Sequence, residues 1–128
     1  MTEEATVSEP MRVIVCGGRD YADWAAVGGV LGMLHDGVTI VHGAAPGADS
    51  LAADKAELLG FDVEAHPADW AAHGKAAGPI RNQRMLDAGA ELVIAFPGGR
   101  GTADIVRRSH EAGIVVLTVT TAEEVNDG

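Results

Sequence analysis

The chain predicts an α/β fold, a Rossmann-like open parallel sheet of about five strands with helices on both faces, and three observations lead there. Five short runs rich in β-branched and other apolar residues alternate with four stretches of helical character. The first run is uninterrupted rather than alternating, as in a strand covered on both faces. Glycine-rich loops stand at the strand-to-helix junctions, where open parallel sheets bind ligands beyond the carboxyl ends of their strands. Helical crossovers between consecutive strands imply right-handed βαβ units.

The elements follow in order. A strand over 12–16 (RVIVC) stops at Gly17-Gly18, and a helix capped by Asp23 runs to about His35. Gly28, Gly29 and Gly32 each cost that helix about 1 kcal/mol relative to alanine, so close packing against a neighbour is expected. A strand over 38–42 (VTIVH) leads through GAAPG to a helix over 48–59. There Leu51, Lys55, Leu58 and Leu59 share one side, and Gly60 is a natural stop. A strand over 61–65 precedes an irregular stretch, 66–78, long enough to be a candidate binding loop. A helix opens at Pro79 and runs to about Ala88, closed by Gly89. A strand over 92–96 (LVIAF), the loop PGGRG, a helix over 102–112, Gly113 and a strand over 114–119 complete the pattern.

With 128 residues the chain suits one domain, expected over 11–120 between flexible acidic tails at 1–10 and 121–128. Nine Lys and Arg against 19 Asp and Glu leave −10. Six of the acids lie in the tails, so the body, with 13 acids and all nine bases, stands at −4. This balance argues against non-specific nucleic-acid or anionic-membrane binding. No run of 18 apolar residues is present to span a bilayer. The first ten residues carry Glu3, Glu4 and Glu9 where a signal peptide would carry Lys or Arg, and Cys16 has no partner for a disulfide. A cytoplasmic location is the expectation. His35, His42, His66, His73 and His110 show no metal spacing, and neither G-x-S-x-G nor a P-loop occurs, so no metal and no cofactor are expected.

The candidate site residues cluster in the loops. Pro97-Gly98-Gly99-Arg100-Gly101-Thr102 puts three glycines before a helix, where outward-turned amides and the helix N-terminus suit an anion; Thr102 is alternatively just the N-cap. The run from Gly78 to Met85 places Arg81 and Asn82 in a first helical turn, where a cation opposes the macrodipole unless an anion joins it. Arg84 on the same side would complete a phosphate clamp, or the pair is simply solvated, while Met85 faces the core. Arg19 and Asp20 sit at the rim of the first strand. Asp20, like Asp49 after Gly47, either caps a helix or accepts from ribose hydroxyls. Trp70, near Lys75, is either a hydrophobic plug or a surface on which a base stacks. Cys16, ending an apolar strand, reads as a small buried residue.

Taken together, Gly17-Gly18-Arg19-Asp20, Gly43-x-x-x-Gly47-Ala48-Asp49, Trp70 with Gly74-Lys75-Ala76-Ala77-Gly78-Pro79-x-Arg81-Asn82-x-x-Met85, and Phe96-Pro97-Gly98-Gly99-x-Gly101-Thr102 resemble the YspA branch of the SLOG superfamily over about 11–119. That resemblance implies a Rossmann-like domain binding nucleotides or nucleotide-derived ligands. The Lonely Guy enzymes of the same superfamily are similar in the last two motifs; they cleave the N-glycosidic bond of nucleoside 5′-monophosphates and are commonly dimers, which implies a homodimer here. Their pattern continues to a glutamate that matches Ile105, with Asp104 one position early, and one residue along a helix turns a side chain by about 100°. Loss of a general acid-base group forfeits ~10²–10⁴ in rate. Arg81 and Asp104 are the candidate catalytic residues, and ligand binding ranks above hydrolysis.

Magnitudes favour a guest larger than phosphate. Three charge-assisted hydrogen bonds and a helix terminus supply at best about 10 kcal/mol before an association cost of ~4 or more. A stacked base adds ~1–3 kcal/mol. The sequence therefore reads as a domain that binds or senses a nucleotide-like phosphorylated ligand, with a phosphoribohydrolase as the alternative and a purely structural module as a third reading.

Overall fold

The structure, a computed structural model, describes residues 11–120; the expected tails lie outside the described residues. Its elements are β1 (Met11–Cys16), α1 (Trp24–Leu31), β2 (Val38–His42), α2 (Ala48–Leu59), β3 (Asp62–Ala65), α3 (Trp70–His73), a 3-10 turn (Gly74–Ala76), α4 (Ala77–Asp87), β4 (Leu92–Ala95), α5 (Arg100–Glu111) and β5 (Val115–Thr118). The five strands form one parallel sheet in the order β3-β2-β1-β4-β5. The chain builds outward from β1 to β3, then crosses back to lay β4 on the other side of β1, so the strand order reverses between β1 and β4. A ligand crevice is expected at such a reversal.

Alternation along β1 divides the core. Val13 and Val15 pack with Val27 and Leu31 of α1 and with the alanines of α2 on one face. Ile14 and Cys16 pack with Met85, Leu86 and Ile105 of α4 and α5 on the other. Both faces of the central strands are thereby covered, which is why these runs are apolar throughout rather than alternating.

The leucine face expected of α2 is not the buried one. Ala48, Ala52 and Ala56, spaced four apart, are completely buried, while Leu58 is 72% and Leu59 41% exposed. Close approach is the reason. A Cβ on Gly17 would lie 2.6 Å from Ala48 Cβ, and one on Gly28 would lie 2.5 Å from Lys55 Cε. A helix held this near to β1 and α1 has room only for small side chains on its inner face. Lys55 lays its stem over Gly28 and places Nζ 4.7 Å above the Trp24 ring. The close packing expected at all three glycines of the first helix holds at Gly28. By contrast, Gly29 faces open space, and Gly32 is the C-cap that ends α1 at Leu31, a turn short of the expected His35.

Two further boundaries move. The stretch 66–78 is irregular only over 66–69: Asp69 caps α3 by accepting the Ala72 amide at 3.0 Å, the 3-10 turn follows, and α4 starts at Ala77. Pro79 is therefore the third helical residue, where its missing N–H still costs nothing. Arg81 and Asn82 lie beyond the first turn, so the macrodipole penalty does not bear on Arg81. Likewise α5 opens at Arg100 with Gly99 as N-cap, which makes Thr102 an interior first-turn residue rather than the cap.

Two glycines give opposite expectations. Gly29→Ala adds a methyl to an exposed helical site with nothing within 4 Å, and should raise the unfolding free energy by about 0.5–1 kcal/mol. Gly17→Ala drives a methyl into Ala48 and Phe96 and should lower it by about 1–3 kcal/mol. Urea denaturation of both variants measures the two signs.

Candidate functional site

A cavity of about 430 Å³ opens at the reversal between β1 and β4. Its walls are Gly17, Gly18 and Arg19 after β1; Gly43, Ala45 and Asp49 around the β2–α2 loop; Trp70 and Lys75 on the α3 segment; Gly78, Pro79, Arg81, Asn82 and Met85 on α4; and Gly99, Arg100, Gly101, Thr102, Asp104 and Ile105 on α5. Most of the residues singled out in the sequence thus come together around one space.

Asp20, Gly47, Pro97 and Gly98 do not line it. Three of them form the packed wall behind. Gly18 donates its amide to the Pro97 carbonyl at 2.8 Å, and its own carbonyl accepts from Ala48 at 3.1 Å and Tyr21 at 3.2 Å. A Cβ on Gly98 would stand 2.7 Å from Gly18 N, and one on Gly47, whose φ is +79°, would run into the Gly18 carbonyl. Asp20 is exposed at the rim, and the capping of α1 falls to Asp23, which accepts the Ala26 amide at 3.0 Å.

A chain of hydrogen bonds crosses the cavity. Asp49, which does not cap α2, is buried and accepts from the Gly43 and Ala45 amides at 3.0 and 3.2 Å. Burial pushes its carboxyl above the ordinary value, against the pull of those amides, His42 and Arg81. Arg81 donates Nη1 to the Gly43 carbonyl and Nε to Asn82 Oδ1 at 2.9 Å. A side chain at position 43 would meet that guanidinium, with Cβ 2.7 Å from Arg81 Cζ. Asn82, itself buried, donates Nδ2 to Asp104 at 2.9 Å and to the Gly101 carbonyl at 3.3 Å.

Asp104 also accepts from Arg107 at 2.6 Å and Arg108 at 2.9 Å. Burial opposes its charge, but Asn82 and the two guanidiniums outweigh that and hold its carboxyl below the ordinary value. Arg81 differs. Among the described residues it forms no ion pair, and burial lowers its pKa, with Asp49 opposing and Arg19 reinforcing the shift. Arg84 points away, into a groove between α4 and α5, so the two arginines make no joint clamp.

Cationic side chains therefore outnumber carboxylates around the cavity. Arg19, Lys75, Arg81 and Arg100 line it, while both lining carboxylates are engaged within the fold. The first turn of α5 has no side-chain cap and no acid, and its residues 100–102 face the same space. Trp70 is 53% exposed, with its ring edge 3.5 Å from where a Cβ on Gly78 would lie, an ordinary packing distance. Among the described residues, no group of three or more His, Cys, Asp or Glu is placed to hold a metal. No described helix is long and apolar enough to cross a membrane.

A family model described as "YspA, cpYpsA-related SLOG family" matches residues 11–73. The chain is also 42% identical over 117 residues to the Gene 61 protein of Mycobacterium phage D29, covering 83% of this chain and 94% of that protein. The chain belongs to this SLOG family. In fold it resembles DNA processing protein A from Streptococcus pneumoniae, whose X-ray structure superposes with a TM-score of 0.74 at 21% identity over 88% of this chain. The SLOG chain spans about half of that protein, 51%. A nucleotide-related function accompanies the family.

His42, a buried polar residue next to Gly43 of the cavity wall, is one to which sequence reasoning gives no role. Counted only as one of five histidines without metal spacing, it is buried at the end of β2, and its Nδ1 accepts the Ala44 amide at 2.9 Å. Its signal was a lone titratable residue closing an otherwise apolar strand.

Cys16 lies at the cavity floor, 8% exposed, with burial and then Asp49 pushing its thiol up to about 12. Because the thiolate is the nucleophile, the folded protein should resist a maleimide at neutral pH and react stoichiometrically once unfolded in urea. Mass spectrometry of the adduct reads the difference.

Proposed function

We propose that the SLOG chain binds a nucleotide or nucleotide-derived phosphorylated ligand in this cavity, with phosphate at Arg81 and the first turn of α5 and the base against Trp70. One observation carries the reading: a half-buried guanidinium that forms no ion pair among the described residues faces the same space as an uncapped helix N-terminus. The cavity volume lies within the range of small-molecule sites, about 300–1,000 Å³. Burial makes each charge-assisted contact count for more than at an open surface.

Hydrolysis is less well supported. An acid-base catalyst must exchange a proton, but the Asp104 carboxyl is kept ionised and its oxygens are taken by Asn82, Arg107 and Arg108. Ile105, at the position of the glutamate in the similar enzymes, is 1% exposed and only contributes an apolar wall.

Thermal shift against nucleoside monophosphates, dinucleotides and ADP-ribose tests the proposal, together with mass spectrometry of whatever small molecule survives native purification. At least one of these ligands should raise the melting temperature. Arg81→Ala should weaken its binding by about 10–150-fold, the equivalent of losing ~1.5–3 kcal/mol. No shift with any of them, or an unchanged shift in the variant, rejects it. Release of free base from a nucleoside monophosphate, abolished by Arg81→Ala, would favour the hydrolase instead.

A further inference from the structure

His42 ends β2 with a buried ring that the binding reading leaves unused. Since Nδ1 accepts the Ala44 amide, the neutral ring carries its proton on Nε2. Ala44 is the one non-glycine among the described residues with positive φ, +61°, a left-handed backbone that an alanine adopts only when its surroundings impose it. The flanking amides of Gly43 and Ala45 both end on Asp49. Three consecutive amides are thus pinned, and the Gly43 carbonyl is turned towards Arg81 to accept its Nη1.

We propose that neutral His42 is a positioning residue that holds Arg81 in the cavity through the Ala44 turn, and that protonating the ring releases the turn and weakens anion binding. An imidazolium has N–H on both ring nitrogens, so it cannot accept from Ala44 and would face that amide donor to donor. The left-handed turn loses its clamp, the Gly43 carbonyl swings, and the guanidinium loses its acceptor. The charged and titratable groups around the ring are Asp49 on α2, Arg81 on α4 and His66 after β3, the last held by Glu64 at 2.6 Å. Burial is the main cause that disfavours the charged ring; Asp49 opposes, while His66 and Arg81 add to the lowering. The ring accordingly titrates below the ordinary 6.5.

A bare extra charge beside Arg81 would strengthen anion binding, whereas release of the turn weakens it. The sign of the pH effect therefore separates the two. The ligand effect rests on the binding reading, but the coupling from ring to turn to guanidinium does not.

The test has two arms. In a ligand-free NMR titration, the Ala44 amide and the Arg81 Nε–H signals should move with the midpoint read from the His42 ring protons. In calorimetry with adenosine 5′-monophosphate, wild type is compared with His42→Asn, whose side-chain oxygen can accept an amide two residues on without titrating. The ratio of wild-type to His42→Asn dissociation constants should rise about tenfold as the ring protonates. Taking the ratio removes the titration of the ligand's own phosphate near pH ~6. His42→Phe should bind weakly at every pH. Ala44 and Arg81 signals indifferent to the ring, or a ratio that falls on acidification, overturns the proposal. If adenosine 5′-monophosphate fails to bind at any pH while those signals track the ring, the positioning role stands and that nucleotide is excluded as the ligand.

Discussion

The site exists because three strand-end loops meet backbone to backbone with no side chain between them. Gly17 lies under Ala48, Gly18 bonds Pro97 and Ala48, and Gly47 and Gly98 each press against Gly18. A single methyl at this junction must displace main chain, which cannot yield as a flexible side chain does. The contact draws the ends of β1, β2 and β4 to one point and thereby fixes where α2 and α5 begin. Gly47 and Gly98 pack this wall without lining the cavity, whereas Gly17 and Gly18 do both, although the sequence presents them in the same kind of motif.

From that junction the electrostatics follow. The two carboxylates that reach the cavity are both used to hold protein: Asp49 gathers the amides of the β2–α2 loop, and Asp104 ties Asn82 to the arginines of α5. Arg81 is held by a carbonyl and an amide oxygen, neither of which cancels its charge. A chain with an overall charge of −10 therefore presents a positive cavity, because net charge describes the whole surface and a crevice is governed by the few groups that line it.

The order of strands and helices was legible because it rests on local signals, apolar runs of strand length and glycines at their ends. The gathering of Gly17, Gly43, Arg81, Asn82 and the α5 turn was legible too, since a parallel sheet sends every such loop to the same edge. What escaped depended on distance between elements. Leucine outranks alanine as a core residue until a helix lies too close to the sheet to admit it, and no periodicity within 48–59 reports that gap. The short α3 and the early start of α4 lacked a repeating apolar stripe. Gly47 and Gly98 read as ligand contacts because a glycine making room for a ligand and one making room for backbone look alike in a sequence. His42 needed the Ala44 turn, which only coordinates reveal.

Arg81 has a consequence for how the domain balances robustness against responsiveness. Stripping water from a guanidinium is costly wherever it happens, and here much of it happens during folding, before any guest arrives. An anion bound as proposed would meet a charge that is already dehydrated and aimed, with little rearrangement to delay its capture. The fold bears that cost continuously, and a neutral side chain at this position would relax it while removing the charge on which the proposed binding depends. Selection for a sturdier scaffold and selection for a tighter grip pull in opposite directions at this one arginine.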